Sequence, residues 1–344
     1  MIQLQKLLEF YKWNATHINM DKCHELKENG FLQMKKHLEY PLYILNYTSK
    51  TQYRQRWCKE LIHARGLVVA EDGEIIARPL PKFFNDYEIT GWDELQEQNY
   101  ELFKKMDGSL VIMFYYKDTC IFYTRGSFIS QQALKAEEIF KKKYMDEDVN
   151  KECTYCFEVI YPQNKIVVDY GVVEDLFLIS IIHTKTGKNV NIDQAGFNTV
   201  QKIATNGVCC TEWIQHDVVN EEGYVMRFIV NNLRMKIKFD NYVEKHKGKH
   251  LNVKRIKQSM KQMQPINLNT IPDECYDEVK EITNQMEELF KMKENEVLEE
   301  YVNIQEQNST TRDLIEAIKH SQYSKILFAI HAKKPYDIFI WKLL

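Results

Sequence analysis

The stretch LFKKMDGSLVIMFYYKD (Leu102–Asp118) sets a lysine, a spacer, an acid, a glycine and a serine directly before a run of apolar and aromatic residues. From Ser109 onward the composition is that of a strand, Lys117-Asp118 supplies a turn, and TCIFYTRGS returns as a second strand, so the segment predicts a hairpin. Lys105-Met106-Asp107-Gly108 is therefore either an ordinary polar turn or a nucleophile held at a strand edge. Alone the tetrapeptide is a weak signal, because it arises by chance in many proteins.

Working outward, the same device recurs. RGLVVAEDGEIIARP places two β-branched runs around Glu71-Asp72-Gly73, an Asp-Gly turn. EGYVMRFIVNNLRMKIKFD forms another hairpin turning at Asn231-Asn232, while YPLYILNYTS, CTYCFEVIYP, NKIVVDYG and DLFLISIIHTKTGKNV read as further strands. SQQALKAEEIFKKKYM is helical by spacing, with Ser130 available as its cap. The opening MIQLQKLLEFYKWN reads as an amphipathic helix. After about residue 250 the pattern changes. Val279, Ile282, Met286, Leu289 and Phe290 recur at three and four, Ser309 can cap TTRDLIEAIKHS, and SKILFAIHAKK runs to Pro335. The reading is α+β: a body of mostly antiparallel sheets over residues 1–250, then an all-helical domain over 251–344, with Pro265–Pro272 as the linker.

The 344 residues suffice for two domains, and 44% hydrophobic with 28% charged residues is ordinary for a soluble protein. No apolar run approaches the ~18–20 residues of a membrane span, and the start lacks a basic region followed by an apolar one, so neither a membrane helix nor a secretory signal is expected. The eight cysteines read as reduced packing residues. Cys153-Thr-Tyr-Cys156 has no second pair at zinc-ribbon spacing, and the adjacent Cys209-Cys210 cannot complete one. The net charge of −3 averages over local patches and excludes little.

Four further elements follow the lysine in order: Arg125-Gly126-Ser127; Glu158 in an otherwise apolar strand; Glu222-Gly223 at a strand start; and RMKIKFD, where Lys236 and Lys238 share one strand face. Together they make sense as one site. The cations converge where a polyphosphate would lie, and the separate carboxylates can hold Mg²⁺ directly or through its waters. Gly108 would let the backbone approach a ligand. Deprotonating an ordinary lysine at pH 7 costs about 4–5 kcal/mol, and cationic neighbours with a nearby metal lower that cost. The Lys105 amine could then attack phosphorus.

This ordered set resembles the covalent nucleotidyltransferase superfamily of ligases and capping enzymes. Within it, ARGLVV, RPLPKFFN, GSFISQQAL and KIKFDNYVEKH look most like the RNA ligase 1 family, the phage tRNA-repair ATP-dependent RNA ligases. The likeness is good over roughly residues 40–250 and fades in the helical tail. It implies that Lys105 accepts AMP, with Asp107 near the amine and ribose and Gly108 completing the motif. Arg65 and Lys82 match the cations that grip the ATP phosphates, and Phe84 the aromatic of KFFN. Arg125 stands where the family has lysine before Gly-Ser, which keeps the charge and changes its geometry. Glu158 matches the acid on the ribose and metal side, and Glu222 the acid that orients the metal's water. Lys236 and Lys238 match the pair on the α-phosphate and leaving pyrophosphate, and Tyr242 a tyrosine just beyond. The cofactors so implied are ATP as substrate and Mg²⁺ or Mn²⁺. The partners are RNA with 5′-phosphate and 3′-hydroxyl ends, such as nicked tRNA, and an end-healing kinase/phosphatase. The resemblance also implies a monomer in the cytoplasm or another intracellular setting, of phage or viral origin.

From Arg234 to Lys257 nine Lys/Arg stand against two Asp/Glu, a local net of +7. Such a run is usually a solvated face. Leading out of the active strand, Tyr242, Lys245, Lys247, Lys249 and Lys254 also suit an RNA phosphate track. Two other functions remain open at this stage. A DNA ligase or capping enzyme shares the lysine motif, although those carry an arginine shortly after the glycine where this chain has Ser109-Leu110-Val111. A catalytically inactive RNA-binding relative is the other, against which the intact charge set argues.

Overall fold

The computed structural model describes residues 1–95, 98–193, 195–205, 218–250, 253–263 and 276–344. The expected linker Pro265–Pro272 and the Cys209-Cys210 pair lie outside the described residues. The chain divides into two units, Met1–Lys245 and His246–Leu344.

The first unit opens with strand β1 (Ile2–Gln3) and helices α1 (Leu4–Tyr11) and α2 (Met20–Glu28). Strands β2 (Leu32–Lys36) and β3 (Leu42–Tyr47), helices α3 (Ser49–Tyr53) and α4 (Lys59–His63), and strands β4 (Arg65–Ala70) and β5 (Ile75–Ala77) follow. Next come the short β6 (Phe84–Asn85) and β7 (Ile89–Thr90), then β8 (Tyr100–Lys105), β9 (Ser109–Tyr116) and β10 (Thr119–Thr124). Helix α5 (Gln131–Lys143) precedes β11 (Cys153–Ile160), β12 (Asp175–His183), β13 (Asn189–Val190) and β14 (Lys202–Thr205). Strands β15 (Gly223–Phe228) and β16 (Arg234–Lys238) then lead into α6 (Asp240–His250).

Three sheets result, in orders β2-β3-β4-β5, β10-β9-β11-β12-β13 and β14-β8-β15-β16-β6, with a small β1-β7 pair. In the three larger sheets, pairing is antiparallel except between β16 and β6, so the α+β, mostly antiparallel reading holds. The hairpins form where turn chemistry put them: Lys117 and Asp118 both take positive φ between β9 and β10, and Asn232 does so between β15 and β16. Ser130 caps α5, its side chain accepting from the Ala133 amide at 3.2 Å.

Period-two alternation decides which face each strand buries. On the middle sheet Val111, Met113, Phe157 and Val159 pack against Ala136, Ile139 and Phe140 of α5. The opposite face, with Ile112, Phe114, Tyr123 and Cys156, packs against Ile44, Val68 and Ala77 of the β2–β5 sheet. Cys153 and Cys156 thus fall in different cores, as a three-residue spacing in a strand requires, and behave as packing residues. One expectation fails. NKIVVDYG forms no strand, because its backbone amides are taken by a side chain rather than a ladder: Val167 and Val168 both donate to Asp107 Oδ2, at 2.8 and 2.7 Å.

The second unit carries α7 (Val253–Lys261), α8 (Tyr276–Gln307), α9 (Thr311–His320), α10 (Ser324–His331) and α11 (Asp337–Leu343). Val297, Leu314, Ile318, Leu327 and Ile340 form its core. Val279, Ile282 and Met286 are buried as their spacing predicts, whereas Leu289 is 47% exposed and off that face. Thr310, one residue beyond the expected Ser309, caps α9 by accepting from the Asp313 amide.

One backbone position controls the third sheet. Gly223 pairs with Lys105 on one side and Lys238 on the other, at φ +145. A Cβ there would lie 2.0 Å from the Ile237 carbonyl oxygen. Gly223→Ala is expected to lower unfolding stability by about 2–4 kcal/mol, read from urea denaturation. A loss under about 0.5 kcal/mol would contradict the close approach.

Candidate active site

The lysine motif is the crossing between two sheets. Lys105 ends β8, residues 106–108 span the gap, and Ser109 begins β9 of the neighbouring sheet. Gly108 seats this crossing against β11: a Cβ would meet the Val159 carbonyl oxygen at 2.5 Å and Glu158 Cγ at 3.1 Å. Its close approach is thus to protein backbone, where the sequence suggested a ligand. The Gly108 amide donates to Glu158 Oε1 at 3.1 Å.

Asp107 is buried at 4% exposure, and its carboxylate is fully engaged. Oδ2 accepts the amides of Val167 and Val168, and Oδ1 accepts from the Tyr242 hydroxyl at 2.8 Å. The Asp107 amide donates in turn to the Tyr170 hydroxyl at 2.9 Å. Tyr242, expected as an RNA contact, is itself 4% exposed and serves this network. Burial above all pushes the Tyr170 phenol well above its usual range; the Asp107 amide opposes this, and the Asp107, Glu222 and Glu158 charges add to it, so the phenol stays protonated.

Glu222 joins the two lysines. Its Oε2 lies 2.7 Å from Lys105 Nζ and its Oε1 3.4 Å from Lys238 Nζ. The carboxylate is 4% exposed and the lysines 21% and 12%. The geometry follows from register, since β8, β15 and β16 are adjacent and Gly223 pairs with both lysines. Glu158 faces away from α5, opposite Phe157 and Val159, and approaches the same amine. Burial raises its carboxyl to about 7; Lys105 pulls down, Glu222 pushes up, and the Gly108 amide and Arg65 pull down.

The remaining cations come from all three sheets. Arg65 on β4 lies with its guanidinium 5.3 Å from the Phe83 ring centre, and Lys236 Nζ is 5.9 Å from the same ring. Arg65 Nη1 is buried with no hydrogen-bond partner, and burial followed by Arg125 lowers its affinity for its proton. Arg125 donates to the Tyr47 hydroxyl at 2.9 Å. Lys82, 2% exposed, sits beside the Trp57 and Phe84 rings at 5.8 and 5.0 Å. Phe84 is wholly buried, edge-on to Trp57, and meets Lys82 from within the core, while its neighbour Phe83 meets Arg65 and Lys236. Lys245 is exposed, while the side chains of Lys247, Lys249 and Lys254 lie outside the described residues.

Phe83, Tyr47 and Tyr170 were not singled out by sequence reasoning. Phe83 was one residue from a named position, and strand alternation could have separated it from Phe84. Nothing local marked Tyr47 or Tyr170, whose partners are 78 and 63 residues away. Among the described residues no cluster of three or more His, Cys, Asp or Glu is arranged to hold a metal.

The Glu158 carboxyl has a sign that can be checked. Its folded value lies above the ordinary 4.5, so the stability it contributes is complete below that pH and is lost as pH rises through about 7. Glu158→Gln, compared with native protein in chelator without nucleotide, is expected to remove that decline between pH 5 and 8. Equal pH slopes in the two proteins would contradict the assignment.

Several known proteins share features with this chain. A solved archaeal ATP-dependent RNA ligase is 14% identical, with a TM-score of 0.49 over 91% of this chain and 88% of that one. A Naegleria gruberi RNA ligase variant solved with ATP and Mn is 13% identical, with a TM-score of 0.37 over 45% of this chain and 53% of its own. A protein of Autographa californica nuclear polyhedrosis virus, named as a bifunctional polynucleotide kinase/RNA ligase, is 25% identical over 245 residues. That match covers 63% of this chain and 35% of the viral protein, so the chain spans about a third of that relative. A family model described as RNA ligase matches residues 63–247, more than half of the chain and every residue of the Lys105, Glu158, Glu222 and Lys238 constellation. The chain belongs to the RNA ligase family.

Proposed function

We propose that this RNA ligase is ATP-dependent and joins 5′-phosphate to 3′-hydroxyl RNA ends through an adenylate carried on Lys105. The observation that carries the reading is the buried Glu222 carboxylate held between Lys105 and Lys238. In the first step the Lys105 Nζ lone pair forms a bond to the α-phosphorus of ATP. The α–β phosphoanhydride P–O bond breaks, pyrophosphate leaves, and the amine proton passes to water. AMP then moves to the RNA 5′-phosphate, exchanging a P–N for a P–O bond. Finally the 3′-hydroxyl attacks that phosphate and AMP departs. The protein's share in each step is positioning and charge neutralisation.

The residues fit a triphosphate. Arg65 Nη1 is a buried donor without a partner, and Lys82, Arg125 and Lys236 supply further positive charge around it. They also fit a divalent ion, since Glu158 and Glu222 are close enough to interact, and such ions complete their shell with water and phosphate oxygens. Mg²⁺ or Mn²⁺ held there would neutralise phosphate charge and lower the cost of a free amine beside it.

Residues 251–344, helical over α7–α11, suit a substrate-selecting domain, such as one for a nicked tRNA, with residues 1–250 as the adenylyltransferase domain. The viral relative's name supports a polynucleotide kinase as an end-healing partner in RNA repair. No helix among the described residues is long and apolar enough to cross a membrane. The viral relative supports a virus- or phage-type origin, and with it we read the protein as an intracellular monomer.

Incubated with ATP and Mg²⁺ or Mn²⁺, the protein is expected to seal single-stranded RNA ends at least about tenfold faster than nicked DNA, a margin of some 1.4 kcal/mol. Efficient sealing of DNA with inert RNA would overturn the reading. Reversing Lys247, Lys249 and Lys254 together to Glu is expected to flatten the log–log salt slope of RNA binding by about 2. An unchanged slope would rule out the phosphate track.

A further inference from the structure

The segment after β11 is bonded to both sides of the lysine crossing. Asn164 Nδ2 donates to Ser109 Oγ at 2.9 Å. The Val167 and Val168 amides reach Asp107 Oδ2, and the Tyr170 hydroxyl accepts from the Asp107 amide. Farther along, the Asp169 amide donates to Asn220 Oδ1 at 2.8 Å, and Asn220 Nδ2 returns to the Asp169 carbonyl at 3.0 Å. Asn220 stands two residues before Glu222. Five residues of this strap, Asn164, Val167, Val168, Asp169 and Tyr170, thus fasten Asp107 and Ser109, on either side of Gly108, and the approach to the carboxylate that pairs with Lys105.

A nucleophile on a strand end needs such fastening. The peptide groups at 106–108 are outside the β8 and β9 ladders, so their position rests on other bonds. A misplacement of about 1 Å at a reacting group can cost on the order of a hundredfold in rate. Asp107 and Tyr170 act as a pair here: the carboxylate takes two strap amides, while the phenol oxygen takes the amide of the same residue, fixing both ends of Asp107.

We propose that Tyr170 and Asn164 are positioning residues for attack by Lys105, holding the 106–109 crossing from outside without touching the nucleotide. The inference rests on Lys105 being the adenylylated residue. Tyr170 is partly buried and packs against the core of the first unit, so replacing only the hydroxyl leaves that packing in place. Asn164 lies beyond the end of β11 and is half-buried.

The test is single-turnover formation of the covalent adenylate from labelled ATP, as a function of ATP concentration, in the full chain. Tyr170→Phe is expected to lower the maximal rate about tenfold, with half-saturating ATP changed less than about twofold, the loss of one positioning hydrogen bond. Asn164→Ala is expected to give the same pattern at about threefold, and serves as the second variant should Tyr170→Phe fold poorly. A native maximal rate in both variants overturns the proposal. So does a raised half-saturating ATP at native maximal rate, which would make these residues ligand contacts. Absence of label on the native protein instead overturns the proposed function itself.

Discussion

A carboxylate shared by two lysines on flanking strands is the constraint on which the site depends. Glu222 precedes the central strand of the trio β8-β15-β16, and its two oxygens each face one amine. A buried ion is costly to leave alone, and removing one partner of such a pair typically costs about 3–5 kcal/mol. The register that brings Lys105 and Lys238 to the same acid is therefore specified by charge as well as by the apolar alternation of the strands. Gly223 makes that register reachable, because the β16 backbone at Ile237 and Lys238 comes closer to it than a side chain allows.

The second sheet supplies the other acid and the other end of the motif. Lys105 belongs to one sheet and Ser109 to the next, so the three residues between them set how the two sheets meet. Gly108 packs on the β11 backbone, and its amide holds Glu158; Asp107 is consumed by the strap and by Tyr242. Both residues of the motif are thus held by protein groups. Cations outnumber acids around them, since Arg65, Lys82, Arg125 and Lys236 join the two lysines against Glu158 and Glu222. That excess is what an anionic ligand would offset.

Much of this was legible in the sequence for reasons that are local. Hairpins announce themselves by turn residues, as Lys117-Asp118 and Asn231-Asn232 did, and Ser130 announced α5. The charged residues were legible because charges in apolar strands are unusual: Glu158 between Phe157 and Val159 is the clearest case. What stayed hidden depended on contacts between distant residues. NKIVVDYG has strand composition, and only Asp107, some 60 residues earlier in the chain, diverts its amides from a ladder. Tyr242 reads as part of an RNA track because its hydroxyl partner, 135 residues away, cannot be seen along the chain. Phe83 and Phe84 look alike along the chain, and only the parallel pairing of β6 with β16 sets Phe84 against Met235 in the main core.

The central claim is that one amine, held by Glu222 at the end of β8, carries the adenylate. Peptide mapping by mass spectrometry after incubation with ATP and a divalent ion tests it most directly. The adenylate mass, labile to acid as a phosphoramidate is, is expected on the peptide containing Lys105. Adenylate found on another residue, with Lys105 unmodified, would contradict it.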